Sequence, residues 1–270
     1  MNLPAGPLHA TGRRCIFDHV GFAASRIAQG LRQDLGSERH LPRTRTRCGK
    51  GAMRKYPRTW HLPFSPGLTR DDRIMPDGVS GLLGVPLVCT EKMDGSNILL
   101  SRQEVLPRAR WHESMGPIKE IHAQIRWELP EEFLLCGEWL AAVHSIFYDR
   151  LSAFYQVFGI FDRKRQVFLS WDAVEEWCAL LELETVPLLA RNVSVSSEAE
   201  LEDLVARLMA LPPTQGAARE GLVVRVAAEI PEHAFGRLVG KYVREGHVAE
   251  DATPWYQGTW ERNRLAMEEG

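Results

Sequence analysis

The sequence predicts an α+β domain built on antiparallel sheets, and three observations carry that expectation. Short apolar segments of strand length recur along the chain: "PLVCTEK", "NILLSR", "FLLCGEWL", "AFYQVFGIFD", "EGLVVRV" and "RLVGKYVR". Two segments of helical period stand among them. The strands and helices mix without a regular βαβ beat, which argues against a doubly wound parallel sheet.

Each element has a local cause. "PLVCTEK" and "NILLSR" flank "MDGS", whose Asp-Gly pair has the turn chemistry of a β-hairpin. "SWDAVEEWCALLEL" sets Val174, Trp177, Cys178 and Leu181 at i, i+3, i+4 and i+7, with Asp172 and Glu175 spaced as a capping box. A second helix is expected from Ser197, with Glu200 three residues on and Leu201, Leu204, Val205 and Leu208 as its buried stripe. Residues 1–53 read differently. They lack strand alternation, and "RHLPRTRTRCGKGAMRKYPR" is dense in Lys and Arg and holds no acid. That composition suits a disordered or loosely attached basic leader, either upstream of a natural start at Met53 or lying on a phosphate backbone. Within it, "GFAASRIAQGLRQDL" could form a short helix with Ile27 and Leu31 on one face. The expected organisation is a leader over 1–53, a folded domain over 54–250 and a short tail over 251–270.

Composition bounds the function classes. At 270 residues, with 44% hydrophobic and 25% charged residues, the chain suits one large soluble domain, or one domain with an appendage. A net charge of −2 means that any nucleic-acid affinity must come from a local patch. No apolar run reaches the length of a membrane span, and the N-terminus lacks a secretory layout. The five cysteines are scattered and never form a C-x-x-C pair, so a disulfide framework or zinc site is not expected and a reducing, cytoplasmic interior is.

Four strand-associated charges stand where a half-buried strand would usually avoid them: Lys92, Glu138, Glu220 and Lys241. Singly, each is a solvated strand-edge charge. Together they suit side chains projected from sheets into one cleft. A free lysine, with a pKa of ~10.4, is protonated and not nucleophilic at neutral pH. Only desolvation, a nearby cation or a metal lowers that value. If Glu138 and Glu220 hold a divalent cation beside Lys92, the metal lowers the amine pKa and neutralises a phosphate under attack, with Lys241 as a second positive charge.

These segments also resemble a known family. "EKMDGSN" is similar to the Lys-x-Asp-Gly signature of the covalent nucleotidyltransferases, which comprise ATP-dependent RNA ligases, DNA ligases and mRNA capping enzymes. "CGEW" resembles the third motif of that family, "FYQVFGIFD" its following aromatic strand, "EGLVVR" its fourth motif and "VGKYVR" its fifth. The resemblance runs from about Tyr56 to His247. Asn97, and the texture of "YPRTWHLPFSPG" and "CGEWLAAVHSIFYD", look most like the RNA ligases.

The resemblance implies a nucleotidyltransferase domain, ATP-grasp-like in architecture, and a three-step reaction. A lysine takes AMP from ATP, AMP passes to an RNA 5′-phosphate, and a 3′-hydroxyl displaces it to seal the strand. Carried over by position, Lys92 is the nucleophile and Lys241 holds the α-phosphate. Glu91 and its backbone read the adenine edge, Asp94 and Asn97 orient the sugar and a metal-bound water, and Gly95 lies with them against the nucleotide. Arg110 serves the ribose or phosphate, Glu138 contacts the ribose or the metal shell, Phe158 stacks on adenine, and Glu220 binds metal. The implied co-substrate is ATP, the metal Mg²⁺ or Mn²⁺, and the partner RNA with 5′-phosphate and 3′-hydroxyl ends, which an end-healing kinase or phosphatase could prepare. A monomer is expected. The chain departs from the family in three places: one lysine in the fifth motif where many relatives keep two, Gly159 where an acid often follows the phenylalanine, and Arg108 competing with Arg110. Only about 26 residues follow Arg244, which points away from the OB-fold that DNA ligases and capping enzymes carry there. Arg237 or Arg244 could supply the second charge, the aromatics and arginines of "TPWYQGTWERNR" could stack on bases or pack on the domain, and His144 is expected to be structural. The alternatives are a DNA nick-sealing ligase and a catalytically silent nucleotide- or RNA-binding module; the latter expects a broken nucleophile motif, and "KMDG" is intact.

Overall fold

In the computed structural model, described over residues 53, 55–68, 72–246 and 259–266, two largely antiparallel sheets organise the chain. The elements run β1 (Trp60–His61), β2 (Leu87–Lys92), β3 (Ser96–Leu100), β4 (Val105–Pro107), α1 (Ile118–Ile125), β5 (Phe133–Trp139), β6 (Tyr155–Asp162), β7 (Val167–Phe168), α2 (Trp171–Leu180), β8 (Glu184–Thr185), β9 (Leu188–Val193), α3 (Glu198–Met209), β10 (Gly221–Val226), β11 (Ile230–Pro231), α4 (Phe235–Leu238) and β12 (Val239–Val243). The first sheet has the order β1-β12-β10-β2-β9, and only the β1–β12 pair is parallel. The second has the order β11-β7-β6-β5-β3-β4, with β8 added in parallel on β6. The basic leader and the short helix expected around Ile27 lie outside the described residues, as does most of the expected tail.

Strand alternation divides the side chains between core and cleft. Along β10, Leu222, Val224 and Val226 join an apolar cluster with Leu201, Leu204, Val205 and Leu208 of α3, so the stripe expected for that helix is the stripe that is buried. Ile98, Leu135 and Trp139 of the second sheet cluster with Trp171, Val174 and Cys178 of α2. Ser197 caps α3, its hydroxyl accepting from Glu200 N at 3.2 Å. The cap of α2 is Ser170, whose side chain accepts from Ala173 N, and not Asp172. Asp172 lies two residues too late, inside the first turn of the helix, and is exposed there with Arg191 3.6 Å away.

The hairpin expected at "MDGS" does not form. β2 belongs to the first sheet and β3 to the second, so Met93, Asp94 and Gly95 carry the chain across between sheets. The Asp-Gly pair serves that crossing. Asp94 Oδ2 accepts from the backbone N–H of Ser145 (2.8 Å) and Ile146 (3.1 Å) and from the Ser145 hydroxyl (2.6 Å). The Asp94 N–H donates to the Tyr148 hydroxyl at 2.9 Å. Gly95 passes so close to the end of β5 that a Cβ there would lie 2.5 Å from the Trp139 carbonyl oxygen.

The described part of the C-terminal segment packs on the same loop. Asn263, 1% exposed, donates to the carbonyls of Leu140 and Ala142 and accepts from Tyr148 N at 2.8 Å.

Because Gly95 faces a backbone carbonyl rather than a flexible side chain, Gly95→Ala is expected to destabilise the fold by roughly 1–3 kcal/mol. Thermal denaturation should show this as a lowered Tm, and a wild-type Tm would mean that the crossing has room to spare.

Candidate active site

A cavity of about 990 Å³ opens where the two sheets face each other. The first sheet contributes Thr90, Lys92, Val223, Arg225 and Lys241; the second contributes Ser96, Asn97, Glu138 and Phe158. Register explains the grouping. β10 is the central strand, with Gly221 opposite Lys92 on β2 and Val223 opposite Lys241 on β12, so the two lysines flank it on the same face. On the other sheet Asn97 pairs with Glu138.

Lys92 is a half-buried cation held by carboxylates. Its Nζ donates to Glu220 Oε2 at 2.6 Å. Burial draws the amine's pKa down, but Glu220, Glu138 and Asp94 raise it by more, so it stands above the ordinary lysine value. The resting amine is therefore protonated. Glu138 shows the reverse side of this arrangement. Burial, with Glu220 and Asp94 as like charges, pushes its carboxyl up to about 8 against the pull of Lys92 and of a Gly95 hydrogen bond. Lys241 Nζ donates to Asp72 Oδ1 at 3.1 Å, and His61 Nε2 lies 3.3 Å from the same oxygen. Burial and then the charge of Lys92 hold Lys241 below its ordinary value, against the opposing pull of Asp72.

Two residues expected to touch the nucleotide through their side chains are engaged elsewhere. The Glu91 carboxylate points to the rear of β2, where it accepts from Arg219 Nη2 (3.1 Å) and the Thr214 hydroxyl (2.7 Å), with both charged partners buried. Pleat alternation forces this: if Lys92 faces the cavity, Glu91 faces away, which leaves its backbone for the cavity wall. Asp94 Oδ2 is likewise taken up by the Ser145–Ile146 loop. The other expected residues converge. Gly95, Asn97, Glu138, Phe158 and Lys241 all line the cavity, as do both Arg108 and the more exposed Arg110. Glu220 joins through its contact with Lys92. Asn97 Oδ1 is buried without a hydrogen-bond partner among the described residues.

Several site residues had weak sequence signals. Asp72 lies in "TRDDR", a run of charges with no strand period to fix its direction. His144 lines the cavity with Nε2 3.3 Å from Ser96 Oγ, and burial pushes it down to about 4, so it is neutral at physiological pH. Arg225 met the same criterion as the four charges singled out above, a cation within an apolar strand, and its even spacing from Val223 sets it on the cavity face.

Because Glu138 binds its proton more tightly when folded, stability should fall as pH rises from the ordinary carboxylate range through about 8. Glu138→Gln stays neutral throughout. In EDTA its Tm should exceed that of wild type at pH 8–9, and the difference should shrink towards pH 5. Parallel Tm curves over that range would show that Glu138 ionises normally.

Comparison with known proteins accords with this arrangement. A family model of RNA ligases matches residues 85–243, from β2 to β12. Solved structures to which the chain is similar include a Naegleria gruberi RNA ligase variant with ATP and Mn (17% identity, TM-score 0.47, covering 70% of this chain and 55% of that one). An archaeal ATP-dependent RNA ligase is 14% identical with a TM-score of 0.48, covering 71% and 48%. The Naegleria ligase with PPi is 17% identical with a TM-score of 0.46, covering 76% and 61%. The chain thus spans about half the length of the solved structures it matches. No curated protein sequence is similar enough to register as a match. Since the RNA ligase match takes in most of the chain and every strand that bears Lys92, Glu138, Phe158 and Lys241, the chain belongs to the RNA ligase family.

Proposed function

We propose that this chain is an ATP-dependent RNA ligase that works through a lysyl-AMP intermediate at Lys92. The observation that carries the proposal is the position of Lys92 in a nucleotide-sized cavity, with Glu220 at 2.6 Å and Glu138 within its field, in a chain of the RNA ligase family. Lys92 Nζ loses a proton, for which Glu220 Oε2 is the adjacent acceptor. Nζ then forms a P–N bond to the α-phosphorus of ATP as the bond to the bridging oxygen breaks and pyrophosphate leaves. An oxygen of an RNA 5′-phosphate next attacks that phosphorus, the P–N bond breaks and the free lysine returns. Finally a 3′-hydroxyl attacks the RNA 5′-phosphorus, forms the phosphodiester and expels AMP. Phe158 and Val223 on facing walls suit a flat base, and Lys241 supplies charge for the phosphates.

The residues fit a divalent cation that shares its ligation with the substrate. Glu138 is destabilised by neighbouring carboxylates, which an added positive charge would relieve. Among the described residues no group of three or more His, Cys, Asp or Glu could hold a metal. Glu138 and Glu220 would therefore hold Mg²⁺ or Mn²⁺ together with phosphate oxygens and water. When bound, such a cation neutralises phosphate charge and lowers the pKa of the nearby amine.

The same proposal takes RNA with 5′-phosphate and 3′-hydroxyl ends as substrate, an end-healing kinase or phosphatase as a partner reaction, and a cytoplasmic monomer divided at about residues 53 and 250. The described cysteines, Cys89, Cys136 and Cys178, are free and buried, and no helix among the described residues is long and apolar enough to cross a membrane.

Incubation with ATP and Mg²⁺ or Mn²⁺ should add the mass of one AMP, in an acid-labile bond that Lys92→Ala abolishes. An adduct of equal yield on the variant would overturn the proposal. Ligation of nicked duplexes with a 3′-OH on RNA or on DNA then separates RNA from DNA sealing.

Glu220→Gln keeps shape but removes a charge that would hold the cation, so adduct formation should fall by roughly 10²-fold or more and recover in part at higher metal concentration. Lys241→Arg changes the reach of the phosphate contact, and its defect should not respond to metal. Superimposable metal titrations for the two variants would show that these residues do not divide the work in this way.

A further inference from the structure

Lys241 supplies charge for the phosphates in the reaction proposed above, yet β12 alone does not set its aim. Its ammonium carries three donors on a flexible four-carbon stem. Two carboxylates attract it: Asp72, and Glu220, which is already the partner of Lys92. The structure settles that competition for Asp72, whose Oδ1 accepts from Lys241 Nζ at 3.1 Å. Lys241 lines the cavity, whereas Asp72 and His61 stand behind it.

Asp72 is held by a series of polar contacts that starts and ends on β12. The parallel β1–β12 pair sets His61 opposite Lys241. The His61 N–H donates to the Arg73 carbonyl at 2.7 Å and the Met75 N–H to the His61 carbonyl at 2.9 Å, which pins the backbone next to Asp72 against β1. The His61 side chain is fully buried. Burial, with the charge of Lys241, holds its pKa below the ordinary histidine value against the pull of Asp72, so the ring is neutral. Its tautomer follows from its neighbours. The Val243 N–H donates to Ser65 Oγ at 3.0 Å, so the hydroxyl sends its own proton elsewhere. His61 Nδ1 is the nearer acceptor at 2.8 Å, against 3.5 Å for the Val243 carbonyl. With Nδ1 accepting, the proton of the neutral ring sits on Nε2, which faces Asp72 Oδ1 at 3.3 Å. That approach is not aligned as a hydrogen bond, and the Nε2–H acts on the carboxylate as a buried dipole.

Resting on the phosphate role proposed for Lys241, we infer that Asp72 is a positioning residue for that lysine, and that His61 and Ser65 hold Asp72 in place against β12. One N–H of the ammonium donates to Asp72, and two remain for phosphate oxygens. Asp72 also keeps the two lysines on separate carboxylates. Without its charge, Nζ of Lys241 turns to Glu220, where it displaces Lys92 from its partner and leaves the α-phosphate without its contact. A group that aims a cation at the reacting phosphate acts on the transition state more than on the bound substrate.

The test follows AMP-adduct formation on Lys92 under single-turnover conditions at saturating Mg²⁺, with Tm as the check on folding. Asp72→Asn keeps the shape and removes the charge. Its maximal rate should fall about tenfold or more, the scale of a hydrogen bond between charged groups, while KM for ATP moves by less than about threefold. In a Lys241→Ala background the same substitution should cost less than about twofold more, because it acts only through that lysine. A wild-type maximal rate in Asp72→Asn, a loss confined to KM, or losses that multiply in the double variant would each overturn the inference. If Lys241→Ala alone forms no measurable adduct, the division between rate and KM in Asp72→Asn decides by the same criteria. The two histidine variants test the direction of the support. His61→Gln places an N–H where Nε2 stands and should stay within about threefold of wild type, whereas His61→Asn keeps only the Ser65 side and should match Asp72→Asn. The reverse order, or equal rates, would overturn the part assigned to His61. Where the buried His61 variants do not fold, the Asp72 series decides. A wild-type protein that forms no adduct refutes the ligase proposal and with it the premise here. A wild-type adduct with an undiminished rate in Asp72→Asn refutes the positioning role alone.

Discussion

The chain has to leave one sheet and enter the other within three residues, immediately after the lysine it presents to the cavity. β2 ends at Lys92 and β3 begins at Ser96, and the two strands never pair. The crossing holds because Asp94 accepts three hydrogen bonds from Ser145 and Ile146 while its own N–H reaches Tyr148. Gly95 adds a backbone approach that no side chain would permit. Nearly everything that defines the site hangs from this crossing. It sets the end of β2 against β10, which brings Lys92 to Glu220, and it starts β3 beside β5, which brings Asn97 to Glu138.

The electrostatics of the cavity follow from that convergence. Lys92 and Lys241 share a low-dielectric space with Glu138, Glu220 and Asp72. In the resting protein these charges offset one another imperfectly: Lys92 is over-stabilised as its ammonium, and Glu138 is held towards its neutral form. Opposed shifts of this kind cluster at functional sites, and under the proposed reaction a polyphosphate and its counter-ion would add charge of both signs.

Behind the first sheet a second ion pair supports this geometry. Arg219 meets Glu91 and also donates to the carbonyls of Leu208, in the last turn of α3, and of Leu211 and Pro212 just past its end. Its neighbour Glu220 projects the other way, onto Lys92. Two consecutive residues thus brace β2 from the rear and pair with Lys92 from the front. Both charges of the rear pair are buried, so breaking it by removing one partner would strand the other in the core.

How much of this was legible in the sequence depends on the range of the interaction. The strands around Lys92, Glu138, Phe158, Glu220 and Lys241 could be read from apolar runs and β-branched composition, because burying alternate residues is a local demand on sequence. The Leu201–Leu208 stripe and the Ser197 cap were legible for the same reason. The order and spacing of the charged motifs pointed to one cleft; Lys92, Glu138 and Lys241 line the cavity, and Glu220 meets Lys92. The turn at Asp94–Gly95 was misread as a hairpin because its local chemistry is the same whether the next strand pairs back or crosses to another sheet. Only the loop at Ser145 decides between the two, and it lies some fifty residues away. The direction of Glu91 was open in the same sense. Period-2 geometry says that it opposes Lys92, but which face holds the cavity and which holds Arg219 is settled by packing β10 and α3 against β2. Sequence determined which residues could carry chemistry. Tertiary structure decided which way each of them points, because a side chain's partners come from strands that are neighbours in space and strangers in the chain.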